Sequence, residues 1–254
     1  MNKVFERLLS GLFLTGQILV HLLQAKIYRI NSLDQMAFVG PASLPIALIT
    51  SASVGMVFTI QVAREFIYFG ATSAVGGVLA IALTRELAPV LTAVVLAGRV
   101  GSAFAAEIGT MKVTEQIDAL YVLKTDPIDY LVTPRVIACA LMLPVLSILS
   151  LLIGMIAGLI ISDVFYDISS SIFLDSVRNF LKTWDIVVCV IKSVVFGSLI
   201  AIIGCNWGLT TSGGAKGVGR STTEAVVISL IAIFITNFFL SWLMFQGTGS
   251  AVIE

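Results

Sequence analysis

Of 254 residues, 58% are hydrophobic and 12% carry a charge, about half the charged share of an ordinary soluble domain. Lysine plus arginine and aspartate plus glutamate each number 15, so no basic excess points to a nucleic-acid partner. No soluble core needs so many apolar side chains, and the fold expected is an all-α integral membrane protein.

The first 30 residues form an amphipathic pattern. On a helical wheel Lys3, Glu6, Arg7, Ser10, Gln17, His21 and Gln24 share one sector of roughly 100°. A helix of this kind lies in the membrane interface without crossing it; a sixth span with its polar residues facing neighbours is the alternative. Glu6, Arg7, Gln17 and His21 interrupt the apolar residues and no small-residue cleavage site follows, so this is not a cleavable signal. Residues 31–45, with Gly40, Pro41 and Pro45, read as the turn into the first span.

Five apolar windows then reach the roughly 20 helical residues that cross a bilayer: 44–63, 75–97, 136–162, 186–207 and 225–245. Lys3, Arg7, Lys26 and Arg29 precede the first; Arg99, Lys112, Lys124 and Arg135 separate the second from the third; Lys216 and Arg220 separate the fourth from the fifth. The opposite side receives only Arg64, Arg178 and Lys182, a bias of ten to three. Positive charge stays inside, which places the N-terminus in the cytoplasm and the C-terminus outside. In the outer connection, at 169–182, Phe173, Val177, Phe180 and Leu181 alternate with Asp175, Arg178, Asn179 and Lys182 as in a short amphipathic surface helix.

The second window carries Arg85, Glu86 and Pro89, and the fourth carries Lys192. A charge at membrane depth costs several kcal/mol unless it meets a partner or a wet cavity. Counted from the outer ends of their windows, Arg85 lies about ten residues deep and Lys192 about six, which is about 6 Å apart in depth. Glu86 is therefore able to pair with Lys192 or with Arg85, either as a structural ion pair or as a polar site on a transport path. Pro89 removes a backbone hydrogen bond and favours a kink. Gly98, Gly101 and Gly109 permit close approach or a break beyond it, and Gly154-xxx-Gly158 and Gly204-xxx-Gly208 suit intrachain packing.

Past the second window, residues 112–126 read as a short helix on the cytoplasmic side. Thr114 is placed to cap it, with Glu115 and Asp118 at its positive end. Ile117, Leu120 and Tyr121 share a face that needs cover from membrane or a partner.

Catalytic patterns are missing. The only histidine, His21, supports neither a histidine metal site nor a Ser-His-Asp triad. The run GGAKGVGRST at 213–222 lacks the order of a phosphate-binding loop. Cys139, Cys189 and Cys205 fall in apolar runs as small buried side chains.

RELAPVLTAVVLAGRVGSAFAAEIGTMKVTEQIDAL at 85–120, IKSVVFG at 191–197 and TSGGAKGVGRSTTEAVV at 211–227 closely resemble the MlaE-type permeases, the membrane subunits of lipid-transporting ABC systems. The resemblance covers nearly the whole chain and implies one permease domain over 1–254. It implies a homodimer enclosing a lipid cavity, with Arg85, Glu86 and Lys192 in or beside it and a phospholipid as cargo. It further implies that 112–126 is the coupling helix. There Glu107, Glu115, Asp118, Ile117, Leu120 and Tyr121 would meet a cytoplasmic ATPase subunit, which binds the ATP and Mg; this chain itself carries no cofactor. An MCE-type lipid-binding protein would be the partner outside. The location implied is a bacterial cytoplasmic membrane, a cyanobacterial one included, or a plastid inner envelope. From the residues alone, an ion-coupled secondary transporter and a non-transporting membrane scaffold remain as alternatives.

Overall fold

The computed structural model describes residues 7, 9–11, 13–18 and 28–245, and every regular element among them is helical. Among the described residues, five helices are long and apolar enough to cross a membrane, as the five windows require.

Residues 9–11 and 13–18 are helical. Helix α1 (Arg29–Val39) corrects the expected turn at 31–45. NSLDQMAFV holds neither glycine nor proline, so the helix persists until Gly40, whose N–H bonds the Met36 carbonyl. Only residues 40–43 turn. Pro45 is the second residue of α2 (Leu44–Tyr68), a position where its missing N–H has no helical partner to lose.

Helix α3 (Thr72–Val113) is continuous over 42 residues and outruns its apolar window by 16 at the Val113 end. Two single π-turns interrupt it, at Leu83–Leu87 and Ala97–Gly101. The expected break near Gly98 and Gly101 is thus a π-turn within an unbroken helix. Helix α4 (Gln116–Val122) follows. Helix α5 (Ile128–Tyr166) opens on a third π-turn and keeps Pro144 in its interior. Helix α6 (Ser170–Phe180) is the predicted outer helix, and α7 (Thr183–Leu209) and α8 (Gly214–Phe245) complete the chain.

Contacts divide the chain into two units, and α3, α5, α7 and α8 contribute residues to each. The first comprises Met1–Ser43, Ala93–Leu143 and Val194–Phe239. A Cβ at Gly204 would lie 2.8 Å from the Gly101 carbonyl, and one at Gly208 2.7 Å from Ile108, so α3 and α7 touch backbone to backbone there. Trp207, Ala105 and Ala225 form a buried cluster. Arg7 pairs with Glu224 at 2.7 Å, and Ser10 donates to Asn206 at 3.0 Å. These two members of the N-terminal polar sector therefore face the protein, while Leu9 and Phe13 are exposed. Lys3, Glu6, His21 and Gln24 lie outside the described residues.

The second unit comprises Leu44–Thr92, Pro144–Ser193 and Leu240–Glu254. A Cβ at Gly55 would strike the Gly154 carbonyl, and one at Gly158 the Leu79 side chain. Both GxxxG faces are therefore used inside the chain. Helix α6 lies on the start of α3: Phe173 is buried against Gly76, and Ser176 accepts from the Gly77 N–H at 2.9 Å. Leu79, Leu83, Ala88, Leu151 and Phe173 form the core of this unit.

Candidate functional site

The second unit brings Arg85, Glu86 and Lys192 together, and the backbone explains how. Pro89 has no N–H to give the Arg85 carbonyl four residues earlier. The π-turn at Leu83–Leu87 sits at that point, where such insertions expose backbone polarity. Lys192 of α7 supplies the missing donor, with Nζ 2.7 Å from the Arg85 carbonyl. The same ammonium donates to Glu86 Oε1 at 2.9 Å and to Ser241 Oγ of α8 at 2.7 Å. Ser241 in turn donates to Glu86 Oε1 at 2.7 Å. Three ammonium hydrogens meet three acceptors, which is what a Lys192 side chain with 0% exposure requires.

Arg85 reaches a second carboxylate. Its Nε donates to Asp185 Oδ1 at 2.8 Å, and its guanidinium lies 4.5 Å from the Phe245 ring centroid. Asp185 is buried and accepts from the Lys182 N–H through Oδ2 at 3.0 Å. Two cations and two anions balance, as intramembrane charges must. Of the two pairings open to Glu86, the one with Lys192 is present. Asp185, Ser241 and Phe245 are additions to the expected set. Asp185 precedes Lys192 by seven residues, two turns along one face of α7, and that spacing was the readable signal.

One side of the cluster remains open. Glu86 is 43% exposed and Arg85 32% in the single chain. Leu87, the next residue, lines a cavity of about 320 Å³ with Val54, Val57, Phe58, Ser53 and Gln61 of α2. Ionised groups next to an apolar recess can orient an amphiphile, its polar end on the charges and its chains against the walls.

The second candidate region lies in the first unit, where one expectation needs correcting. Thr114 does not cap α4: its Oγ1 donates back to the Thr110 carbonyl at 2.8 Å, at the end of α3. Glu115 makes the turn between the helices, at φ 60° and without a side-chain cap. Ile117 is buried and Leu120 half-buried, but Tyr121 is 61% exposed, next to exposed Val122 and Leu123. The expected shared face is therefore split. Glu107 pairs with Arg135 at 2.9 Å and Asp118 with Lys112 at 3.2 Å; each carboxylate already has a basic neighbour within the chain.

The sequence is similar to those of known proteins over most of its length. The family described as permease MlaE matches residues 32–243. A probable ABC transporter permease protein of Synechocystis sp. is 70% identical over 249 residues, 98% of this chain and 95% of that protein. The chloroplastic protein TRIGALACTOSYLDIACYLGLYCEROL 1 of Arabidopsis thaliana is 53% identical, over 99% of this chain and 72% of its own length. A probable ABC transporter permease protein of Rickettsia prowazekii is 42% identical, over 89% of this chain and 87% of that one.

Proposed function

The chain belongs to the MlaE permease family, and from that premise we propose that it is the membrane subunit of an ABC-type lipid transporter, working as a homodimer. Relatives named as ABC transporter permeases support the class. The observation that carries the reading is the open side of the charged cluster, with an apolar recess one residue further along α3. An ion pair needed only for packing would be sealed; here Glu86 and Arg85 keep exposed surface, and Leu87, the next residue along α3, lines the cavity on α2. A phospholipid headgroup is oriented by the charges, and its acyl chains lie against the apolar wall.

Bond-making chemistry belongs to other subunits. A cytoplasmic ATPase binds ATP and Mg and docks on 112–126, with Glu107 as a further contact, where exposed Tyr121, Val122 and Leu123 need cover. An MCE-type lipid-binding protein meets the outer side, where α6 lies. The N-terminus is cytoplasmic and the C-terminus outside, in a bacterial or cyanobacterial cytoplasmic membrane or a plastid inner envelope.

The test is ATP-driven lipid transfer by the whole complex in liposomes. Arg85→Gln combined with Lys192→Gln should lower the rate by roughly tenfold or more, about 1.4 kcal/mol of barrier, while the ATPase subunit still co-purifies. Arg85→Gln alone, at a half-exposed position, is the milder companion. Wild-type transfer by the double variant, or gradient-driven transfer by the chain without an ATPase, overturns the reading.

A further inference from the structure

Among the described residues, the glycines in the left-handed backbone conformation are Gly70, Gly213 and Gly214, and the other residues there are Glu115, Lys124 and Asp167. Aspartate tolerates this region better than most side chains. Glutamate and lysine lack that allowance, and these two stand at either end of α4. The closing turns of two helices allow a direct comparison. Helix α2 ends with the Gly70 N–H on the Ile67 carbonyl at 3.0 Å and the Ala71 N–H on the Phe66 carbonyl at 2.8 Å. Helix α4 ends with the Lys124 N–H on the Tyr121 carbonyl and the Thr125 N–H on the Leu120 carbonyl, both at 3.0 Å. The hydrogen bonds are the same, at the position where helices favour glycine because a Cβ there is strained. Glycine would close α4 with less strain, yet a lysine stands there at φ 56°.

The fold itself does not call for that side chain. Lys124 is exposed, and its ammonium makes no hydrogen bond or ion pair among the described residues; the same holds for the Glu115 carboxylate. A cation does favour the C-terminal end of a helix dipole. Leu123, with φ −77°, would offer a lysine that benefit in an ordinary conformation. Strain retained for a side chain with no role inside the fold points to a role outside it.

The surroundings identify that role. Exposed Tyr121, Val122 and Leu123 lead directly into Lys124, an apolar patch with a charge on its rim, as protein interfaces are built. A bilayer surface suits the segment less well. Glu115, Asp118 and Asp126 are also exposed on it, and Lys112 offsets Asp118 alone. Anionic headgroups that drew in Lys124 would repel the carboxylates around it, whereas a protein presents both signs at once. We infer that Lys124 contacts an acidic side chain of the ATPase subunit, at the edge of an apolar surface that covers Tyr121, Val122 and Leu123. With Glu115 at the other end of α4, it fixes the direction in which that helix lies, because reversed docking sets like charges together. This rests on the ATPase reading above and adds to it a residue, the chemistry of its partner and an orientation.

The probe is the ATPase subunit that co-purifies with the full chain in mild detergent, titrated against the chain in detergent micelles and in phosphatidylglycerol nanodiscs. Lys124→Gly should raise the thermal midpoint of the chain alone by about 2–4 °C. It should also weaken ATPase binding by about fivefold in both media, the upper range for an exposed ion pair. Lys124→Asn, which accepts the left-handed conformation without the freedom of glycine, should weaken binding equally, and Lys124→Arg should keep the wild-type affinity. Exchanging the charges, Glu115→Lys with Lys124→Glu, conserves the net charge and should weaken binding more than Lys124→Gly does. Wild-type affinity in Lys124→Gly and Lys124→Asn overturns the contact, and wild-type affinity in the exchanged pair overturns the orientation. A midpoint that Lys124→Gly fails to raise overturns the proposal too, since the lysine would then carry no strain to explain. A loss confined to the phosphatidylglycerol nanodiscs gives Lys124 to the membrane and overturns it as well. If no ATPase co-purifies with the wild-type chain, the transport reading itself falls; tight binding that ignores Lys124 sinks only the contact proposed here.

Discussion

Lys192 and Glu86 share one hydrogen bond but stand in different surroundings. The ammonium has 0% exposure and all three hydrogens committed inside the protein, whereas the carboxylate is 43% exposed. Removing the counter-charge of a buried ion costs about 3–5 kcal/mol. Glu86→Gln preserves both hydrogen bonds to Oε1 yet strands the ammonium, so it should cost that much. Lys192→Met leaves a carboxylate that reaches its own exposed side and one backbone carbonyl without its donor, about 1–3 kcal/mol. SDS denaturation in mixed micelles should therefore rank Glu86→Gln as the more damaging, and the double variant should recover part of the loss. A Lys192→Met variant as unstable as Glu86→Gln would show that the backbone carbonyl, rather than the ion pair, dominates this site.

At the scale of elements, the glycines of α2 and α3 separate two roles. A Cβ at Gly55 collides with the Gly154 backbone, so Gly55→Ala must push α2 from α5 and should cost about 1–3 kcal/mol. At Gly98 nothing lies within 4 Å, and Gly98→Ala should leave stability unchanged or raise it by about 0.5–1 kcal/mol through the unfolded chain. Thermal melting of the two variants in one detergent checks the contrast; equal losses would mean that contact at Gly55 is not what the glycine serves. The five spans were legible because hydropathy alone decides which helices enter lipid. Their ends were not, because α3 carries Pro89 just after one π-turn, takes two glycines into another and runs on to Val113. Helix α1 was hidden by Pro41 and Pro45, which punctuate only the residues after it. In the cluster, Arg85, Glu86 and Lys192 stood out as charges among apolar neighbours. Asp185 did not, since a carboxylate beside an outer loop is ordinary, and Ser241 carries no charge to notice.

For the whole molecule, the proposed orientation and the proposed docking surface are tested by the same pair of positions. Under the proposed reading, the five helices long and apolar enough to cross, among the described residues, all do so. That odd number would put the ends of the chain on opposite sides, with the lysines and arginines choosing which end is inside. Tyr121 in α4 and Arg178 in α6 are both exposed, and they belong to connections predicted to face opposite compartments. Cys139, Cys189 and Cys205 are all buried and contribute little background to thiol labelling. Tyr121→Cys should react with a membrane-impermeant maleimide only in inside-out vesicles, and Arg178→Cys only in right-side-out ones. In the assembled complex the ATPase should protect Tyr121→Cys from the reagent, because an aromatic side chain bordered by Val122 and Leu123 gains most by leaving water when covered. Labelling of both positions from one side would refute the crossing count, and reversed labelling would refute the charge rule for this chain. Full reactivity of Tyr121→Cys in the complex would leave the orientation standing and move the ATPase to another cytoplasmic surface.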